Sequence, residues 1–191
     1  MPMRRLFLAA TLLAAASTSG VNHASANSWV VVPADSKIAF SGTHAGAAFK
    51  GTFQKWEATI VFDPANLAAA KAVVTVALAS AKTGDATYDK TLPTADWFDL
   101  AKGGANGTFE TGQFRALGGS KFEVDGTLAI RGLKMPVTLV FDFVVQGDTA
   151  KLIGKTQVKR LDFAIGKGSD ASGAWVSLDI PVEVAVSLKK D

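Results

Sequence analysis

The sequence predicts an all-β protein, a closed barrel of eight antiparallel strands with a short helical insertion. Alternating hydrophobicity is the first observation behind this prediction, because aliphatic residues occupy every second position from Val176 to Leu188. A strand directs alternate side chains to opposite faces, so this pattern gives one apolar and one polar face. The second observation is that glycine-rich turns separate several such runs. Closing these strands into a barrel would leave no exposed edge.

The strands follow from the alternating runs taken in order along the chain. We expect them over residues 29–44, 47–63, 72–80, 106–116, 120–130, 135–146, 150–165 and 173–188. Phe109 and Phe114 fall out of phase with each other across Gly112, which predicts a β-bulge in the fourth strand.

Two short helical pieces are expected between the strands. In the first, Asp63 is a candidate N-cap, Pro64 takes the first helical position, and the helix continues to Ala70. The second lies within residues 84–102, where Thr94 caps a turn. The chain has no internal repeat and no linker-like tract, so we expect one domain after the N-terminal segment.

The first 26 residues have the three-part pattern of a secretory signal peptide: a basic start, an apolar run and the small-residue sequence Ala24-Ser-Ala26. The apolar run from Leu6 to Ala16 is much shorter than the roughly 20 residues that a membrane-spanning helix needs. We therefore expect a cleaved signal peptide over residues 1–26, a mature domain over residues 27–191 and a periplasmic location.

Composition excludes several classes of function. The chain has no cysteine, which removes disulfides, thiolate metal sites and cysteine nucleophiles. Residues 27–191 carry 18 basic and 17 acidic side chains without a basic cluster, so no nucleic-acid partner is expected. His44 is the one histidine in that stretch, so neither a multi-histidine metal site nor a metal cofactor is expected.

The acidic residues of the helical insertion are the candidates for catalysis. Asp85, Asp89, Asp96 and Asp99 cluster there, and paired carboxylates can carry out acid–base chemistry. We favour the alternative that they cap helices and complement helix dipoles, which acids at helix starts commonly do. No catalytic residue and no enzymatic activity are therefore assigned.

A series of short motifs extends from Trp29 to Leu188. It consists of Trp29, Ser36-x-Ile38-x-Phe40, His44, Phe49-x-Gly51-x-Phe53, Ile60-Val-Phe-Asp-Pro64, Thr83-Gly-Asp85, Leu92-Pro-Thr-Ala-Asp-Trp-Phe-Asp99, Gly126-Thr-Leu-Ala-Ile-Arg-Gly132 and Arg160-Leu-Asp-Phe163. In this order the motifs resemble the YceI-like family, in the branch that carries Asp-Trp-Phe. The resemblance implies an exported bacterial protein whose lipocalin-like barrel binds a polyisoprenoid lipid or a similar amphiphile. Thr91 stands where many members have histidine, which puts any ligand contact of that histidine in doubt.

The ligand site is expected inside the barrel, where aromatic side chains share the apolar faces. We predict that the ligand contacts Phe40, His44, Phe49, Phe53, Phe62, Leu92, Trp97, Phe98, Phe122, Phe141, Phe143 and Phe163. Small inward residues, namely Gly51, Ala58, Gly126 and Gly154, are expected to leave room beside the rings. The alternative is that side chains fill the barrel completely.

The entrance to this site is predicted less specifically. Residues 92–100 form either a lid that closes on the ligand or a plug that packs permanently. His44, Lys82, Arg131 or Arg160 could hold a headgroup.

We thus expect a carrier that holds a polyisoprenoid lipid or an isoprenoid quinone, without bond chemistry. A membrane redox partner such as a cytochrome is implied by the resemblance alone, and the chain could be a monomer or a homodimer. The alternatives are an eight-stranded envelope barrel with its apolar face outward, a stress protein that acts through a protein partner, and an enzyme acting on a lipid.

Overall fold

The computed structural model describes residues 27–102 and 104–191. The expected signal peptide lies outside the described residues. Within them, no helix combines the length and the apolar character needed to cross a bilayer.

In the described part of the chain, the regular structure consists of eleven strand segments and one α-helix. The strands are β1 (Ser28–Val31), β2 (Lys37–His44), β3 (Ala47–Phe53), β4 (Trp56–Val61), β5 (Lys71–Ala77), β6 (Ala81–Lys82), β7 (Asn106–Gly118), β8 (Lys121–Ile130), β9 (Leu133–Gln146), β10 (Thr149–Lys159) and β11 (Asp179–Lys190), and the helix is α1 (Ala86–Thr91). Short 3₁₀ turns lie at Pro33–Asp35, Leu67–Ala69, Leu78–Ser80 and Arg160–Phe163.

These segments form the eight strands of a closed antiparallel barrel. Neighbouring strands follow the order β1, β4, β5, β7, β8, β9, β10 and β11, and β1 pairs with β11 to close the ring. Three of the eight barrel strands consist of two segments each. The first is β1 followed by β2, both paired with β11. The second is β3 followed by β4, and the third is β5 followed by β6. The predicted fold class is confirmed.

The predicted strand ends are wrong in the region between β10 and β11. Expected to extend to residue 165, β10 ends at Lys159, and β11 begins at Asp179 instead of residue 173. The cause is Arg160, because the chain beyond it turns back so that several carbonyl oxygens face its guanidinium group. Ala164 has a φ of 54°, a left-handed conformation that ends the 3₁₀ turn.

The bulge at Gly112 is confirmed, because the β7–β8 register shifts between Thr111 and Phe114. The helical pieces are only partly as predicted. The carboxylate of Asp63 accepts a hydrogen bond from the backbone N–H of Ala65, so Pro64 lies in a turn instead of starting a helix.

Among the described residues of the insertion between β6 and β7 there is one helix, α1. Asp85 caps α1, its carboxylate accepting hydrogen bonds from the backbone N–H groups of Thr87 and Tyr88. Residues 92–102 form consecutive turns. The Thr94 hydroxyl donates to the carbonyl of Thr91 at 2.7 Å instead of accepting from a backbone N–H of the following turn, so the predicted cap is wrong.

The core consists of two clusters inside the barrel, one toward each end. The first comprises the buried residues Trp29, Ile60, Phe62, Phe122, Val124, Phe141, Phe143, Ala150, Val186 and Leu188, and the second Phe40, Leu78, Ala81, Phe98, Val158, Phe163 and Ile165. The charged side chains of β7 and β8 lie on the outer face, where Arg115 contacts Glu123 at 2.6 Å and Asp125 at 2.7 Å. Most of the apolar alternating positions thus point inward, as closure of the barrel requires.

Candidate ligand cavity

A cavity of about 260 Å³ lies inside the barrel. Its lining comes from the inward positions of most strands and from residues of the insertion. Polar side chains are few: Lys71, Thr108, Thr111, Thr156 and Arg160. Such a surface offers a dry apolar environment with almost no hydrogen-bonding groups, which suits a hydrocarbon chain.

One end of the cavity is closed by aromatic rings, which we call the aromatic base: Trp29, Phe62, Phe114, Phe122, Phe141 and Phe143. Phe62 is at its centre, with ring centroids 4.7 Å from Phe143 and 5.2 Å from Phe122. The indole N–H of Trp29 donates to the carbonyl of Phe62 at 2.8 Å, so this buried polar group is satisfied. Edge-to-face packing of these rings closes this end of the cavity.

The cavity brings together eight of the twelve residues predicted to contact the ligand. These are Phe40, Phe49, Phe53, Phe62, Leu92, Trp97, Phe98 and Phe141. Phe122 and Phe143 are buried in the aromatic base, and Phe163 is buried in the second core cluster. None of these three, nor His44, contributes to the cavity lining.

The glycines predicted to leave room beside the rings are instead packed against them. A Cβ at Gly51 would lie 2.3 Å from the Phe40 ring, and one at Gly126 would lie 2.4 Å from the Phe109 ring. The space that glycine provides is therefore already occupied by a neighbouring phenylalanine. Of the small residues expected to open the cavity, Ala58 does line it.

Residues 92–100, which we call the cover, lie over the other end, with Leu92, Trp97 and Phe98 facing the cavity. Arg131 donates hydrogen bonds to the carbonyls of Ala95, Asp96 and Trp97 in this segment. Because three separate carbonyls are held by one guanidinium group, the cover is tied firmly to the barrel.

The cover has a second attachment through Asp96. Its carboxylate accepts from the backbone N–H groups of Gly168 and Ser169 and from the Ser169 hydroxyl. The backbone N–H of Gly166 donates to the carbonyl of Asp96 at 2.7 Å. The hydrogen bond from Ser169, more than any other, lowers the pKa of Asp96 below its ordinary value. These bonds favour the plug over the mobile lid.

Below the cover, Arg160 forms a buried ion pair with Asp170. The nitrogen–oxygen distance is 2.7 Å, and the two side chains are 2% and 4% exposed. The guanidinium also donates to the carbonyls of Ile165 and Val176. Hydrogen bonds from the backbone, first of all from Val176, lower the pKa of Asp170. This network fixes the chain between β10 and β11.

The four side chains suggested for holding a headgroup all have protein partners. The guanidinium groups of Arg131 and Arg160 are engaged as described above, and Lys82 lies 3.5 Å from the carboxylate of Asp89. His44 Nδ1 and the Tyr88 hydroxyl form a hydrogen bond of 2.9 Å. His44, the last residue of β2, therefore lies at the rim of the barrel beside α1, outside the cavity.

The acids considered for catalysis also have structural partners. Asp85 caps α1, and Asp89 accepts hydrogen bonds from the backbone N–H and the hydroxyl of Thr83, which lower its pKa. Asp99 lies 3.9 Å from Arg131. Among the described residues that line the cavity there is no aspartate or glutamate.

Sequence reasoning missed three aromatic residues of the lining, Trp56, Phe109 and Phe114. Trp56 could have been found, because it is in phase with Ala58 and Ile60 on the same strand. Phe109 was obscured by the bulge, which reverses the inside–outside phase along β7.

The chain is similar to known proteins in both sequence and structure. The sequence matches the YceI-like domain over residues 29–188. It is 32% identical to protein YceI of Escherichia coli O157:H7 over 168 residues, covering 80% of this chain and 87% of that protein. The structure is similar to BcnA of Burkholderia cenocepacia, with a TM-score of 0.78, 29% identity and coverage of 82% and 98% of the two chains.

A more distant likeness concerns the fold alone. A polyisoprenoid binding domain from Saccharophagus degradans has a TM-score of 0.62 at 14% sequence identity, covering 87% of this chain and 99% of that domain. The barrel is thus retained at low sequence identity.

Proposed function

The chain belongs to the YceI-like family, and from this premise we propose that it binds a polyisoprenoid lipid or an isoprenoid quinone in its barrel cavity, as a carrier without bond chemistry. The observation that carries the proposal is the nearly uninterrupted apolar lining of the cavity. The distant polyisoprenoid binding domain supports the fold, so the ligand class rests on this lining and on the resemblance of the motifs.

The size of the cavity limits how the ligand is held. About 260 Å³ is slightly below the range of roughly 300–1,000 Å³ for small-molecule sites. The cavity thus accommodates part of a long tail, and deeper insertion requires side chains to move. Each methylene removed from water contributes about 0.8 kcal/mol, so a partly buried tail is sufficient for useful affinity.

We further propose that the protein is periplasmic and that residues 1–26 direct its export. Support comes from the basic start, the apolar run and the small-residue cleavage motif. Binding of an amphiphile in an aqueous compartment between two membranes is consistent with a carrier role. Cell fractionation, with sequencing of the N-terminus of the recovered protein, tests both statements.

Tryptophan fluorescence provides a direct test of cavity binding. Trp56 and Trp97 line the cavity, so insertion of a ubiquinone or polyprenol tail is expected to change their emission. Trp56→Phe and Trp97→Phe should each reduce the change measured on titration with ligand.

The control is Trp175→Phe, because Trp175 is 61% exposed and does not line the cavity. This variant should retain the full ligand-induced change. A response that survives in the Trp56→Phe, Trp97→Phe double variant and disappears in Trp175→Phe would place the ligand on the surface.

A further inference from the structure

The first two strands of the barrel pair with each other in two stretches, β1 with β4 and β2 with β3, and between these stretches lies a gap. The last recorded pair on one side is Trp29 with Ile60, and pairing resumes at Ile38 with Phe53. Between these positions, residues 30–37 and residues 54–59 have no recorded pairing with each other. We call this gap in the described wall the seam.

Backbone groups on both sides of the seam are satisfied by other neighbours. On the first strand, the N–H of Val32 donates to the carbonyl of Ser187 in β11 at 2.8 Å. On the second strand, the N–H groups of Gln54 and Lys55 donate to the carbonyl and the hydroxyl of Ser80. The described strands can therefore separate at the seam without breaking any recorded backbone hydrogen bond between them.

The seam lies between the cavity and an outer groove of about 700 Å³. Phe53, Trp56 and Ala58 line both spaces. These side chains are the shared wall, and Trp56 is its largest member. A route past Trp56 breaks none of the hydrogen bonds that hold the cover, whereas opening the cover requires breaking those of Arg131, Asp96 and Gly166.

The groove carries a small excess of positive charge. Its charged lining residues are Lys37, Lys55 and Glu57, all exposed. Among the ion pairs recorded for the described residues, none includes Lys37 or Lys55. Two ammonium groups without carboxylate partners, next to an apolar passage, form a site suited to an anionic headgroup.

We propose that the seam is a lateral entrance to the cavity, at which Lys37 and Lys55 hold the phosphate headgroup of an isoprenoid whose tail passes Trp56. This inference rests on the proposed lipid-binding function and specifies the ligand class and its route. It places the headgroup on the side of the barrel instead of at the covered end.

The headgroup is tested with two probes that differ only there, geranylgeranyl phosphate and geranylgeraniol. For the Lys37→Gln, Lys55→Gln double variant we expect the affinity for the phosphate to fall by about tenfold, with the affinity for the alcohol unchanged. The control is Lys90→Gln, Lys167→Gln, which removes two exposed lysines outside the groove lining. Equal affinities for the phosphate in wild type and the Lys37, Lys55 variant would overturn the inference.

The route is tested by obstruction, because the chain has no native cysteine. Glu57→Cys labelled with a bulky maleimide should slow the loading of both probes at least about tenfold in stopped-flow fluorescence. Leu117→Cys, labelled in the same way, is the control, since Leu117 is 50% exposed and lines neither space. An unchanged loading rate in labelled Glu57→Cys would contradict a lateral entrance.

The experiments distinguish an error in the proposed lipid-binding function from an error in the lateral entrance. If wild-type protein binds neither geranylgeraniol nor geranylgeranyl phosphate, the proposed lipid-binding function is wrong and the inference falls with it. If wild type binds both probes and neither the lysine variant nor the label has an effect, the function stands and the seam is not the entrance.

Discussion

Replacing Arg160 with alanine is expected to destabilise the protein strongly. The guanidinium is fully buried, contacts Asp170 at 2.7 Å and donates to several backbone carbonyls. Its removal leaves the buried Asp170 carboxylate without its cationic partner and these carbonyls without the guanidinium donor. Loss of one member of a buried ion pair costs about 3–5 kcal/mol. For a chain of this size the melting temperature should fall by roughly 6–20 °C, measured by circular dichroism or calorimetry.

Arg115→Ala is the matched control. Arg115 also contacts two carboxylates, but its side chain is 39% exposed on the outer face of the barrel. Solvent can replace its interactions, so a much smaller shift is expected. Equal melting temperatures for the Arg160→Ala variant and wild type would contradict a structural role for the buried network.

The same network predicts sensitivity to acid. Because its pKa is lowered from the ordinary value of 3.8, the Asp170 carboxyl binds fewer protons in the folded than in the unfolded protein. Its stabilising contribution is therefore present above about pH 4 and is lost as the pH falls through the folded-state pKa. Asp170→Asn should weaken the acid dependence of the melting temperature below pH 4.

Filling the cavity should abolish most of the ligand binding while leaving the fold intact. Val74 lines the cavity on β5, opposite Phe109. A Val74→Trp variant places an indole where the tail would lie, so we expect affinity for a polyprenol or ubiquinone probe to fall at least about tenfold. Binding is measured by fluorescence titration, and melting temperature reports on the fold.

The neighbouring residue supplies the control for this substitution. Val73 is 46% exposed on the outer face of the same strand, so Val73→Trp adds the same side chain outside the barrel. It should bind as wild type does. If Val74→Trp is folded and binds with wild-type affinity, the ligand does not occupy this cavity.

The barrel itself could be predicted from the alternation of apolar residues. The strand β11 illustrates the reason: its alternate aliphatic positions are set by local geometry, so sequence and structure agree along most of its length. The exceptions are breaks inside strands. The interruption at Pro33–Asp35 falls within a predicted strand, and the hydrogen bond that joins it to β11 comes from Ser187, a residue far away in sequence.

The candidate site could be predicted only in part. Alternation along a strand indicates which side chains point into the barrel, but not which of them fill the space there. Phe40 and Gly51 both face inward as expected, but only the structure shows that the Phe40 ring fills the space beside Gly51. The buried ion pair of Arg160 could not be predicted either. Its partner Asp170 lies in an irregular loop, so no periodic pattern connects the two residues, and the sequence does not predict their ion pair.

Lipid binding in the cell is tested by native mass spectrometry of the protein purified from its own cells, with organic extraction to identify any released compound. We expect an adduct of several hundred daltons that extraction identifies as a polyprenyl lipid or an isoprenoid quinone. A mass equal to that of the polypeptide alone, unchanged after incubation with quinones and polyprenols, would contradict the proposed lipid binding.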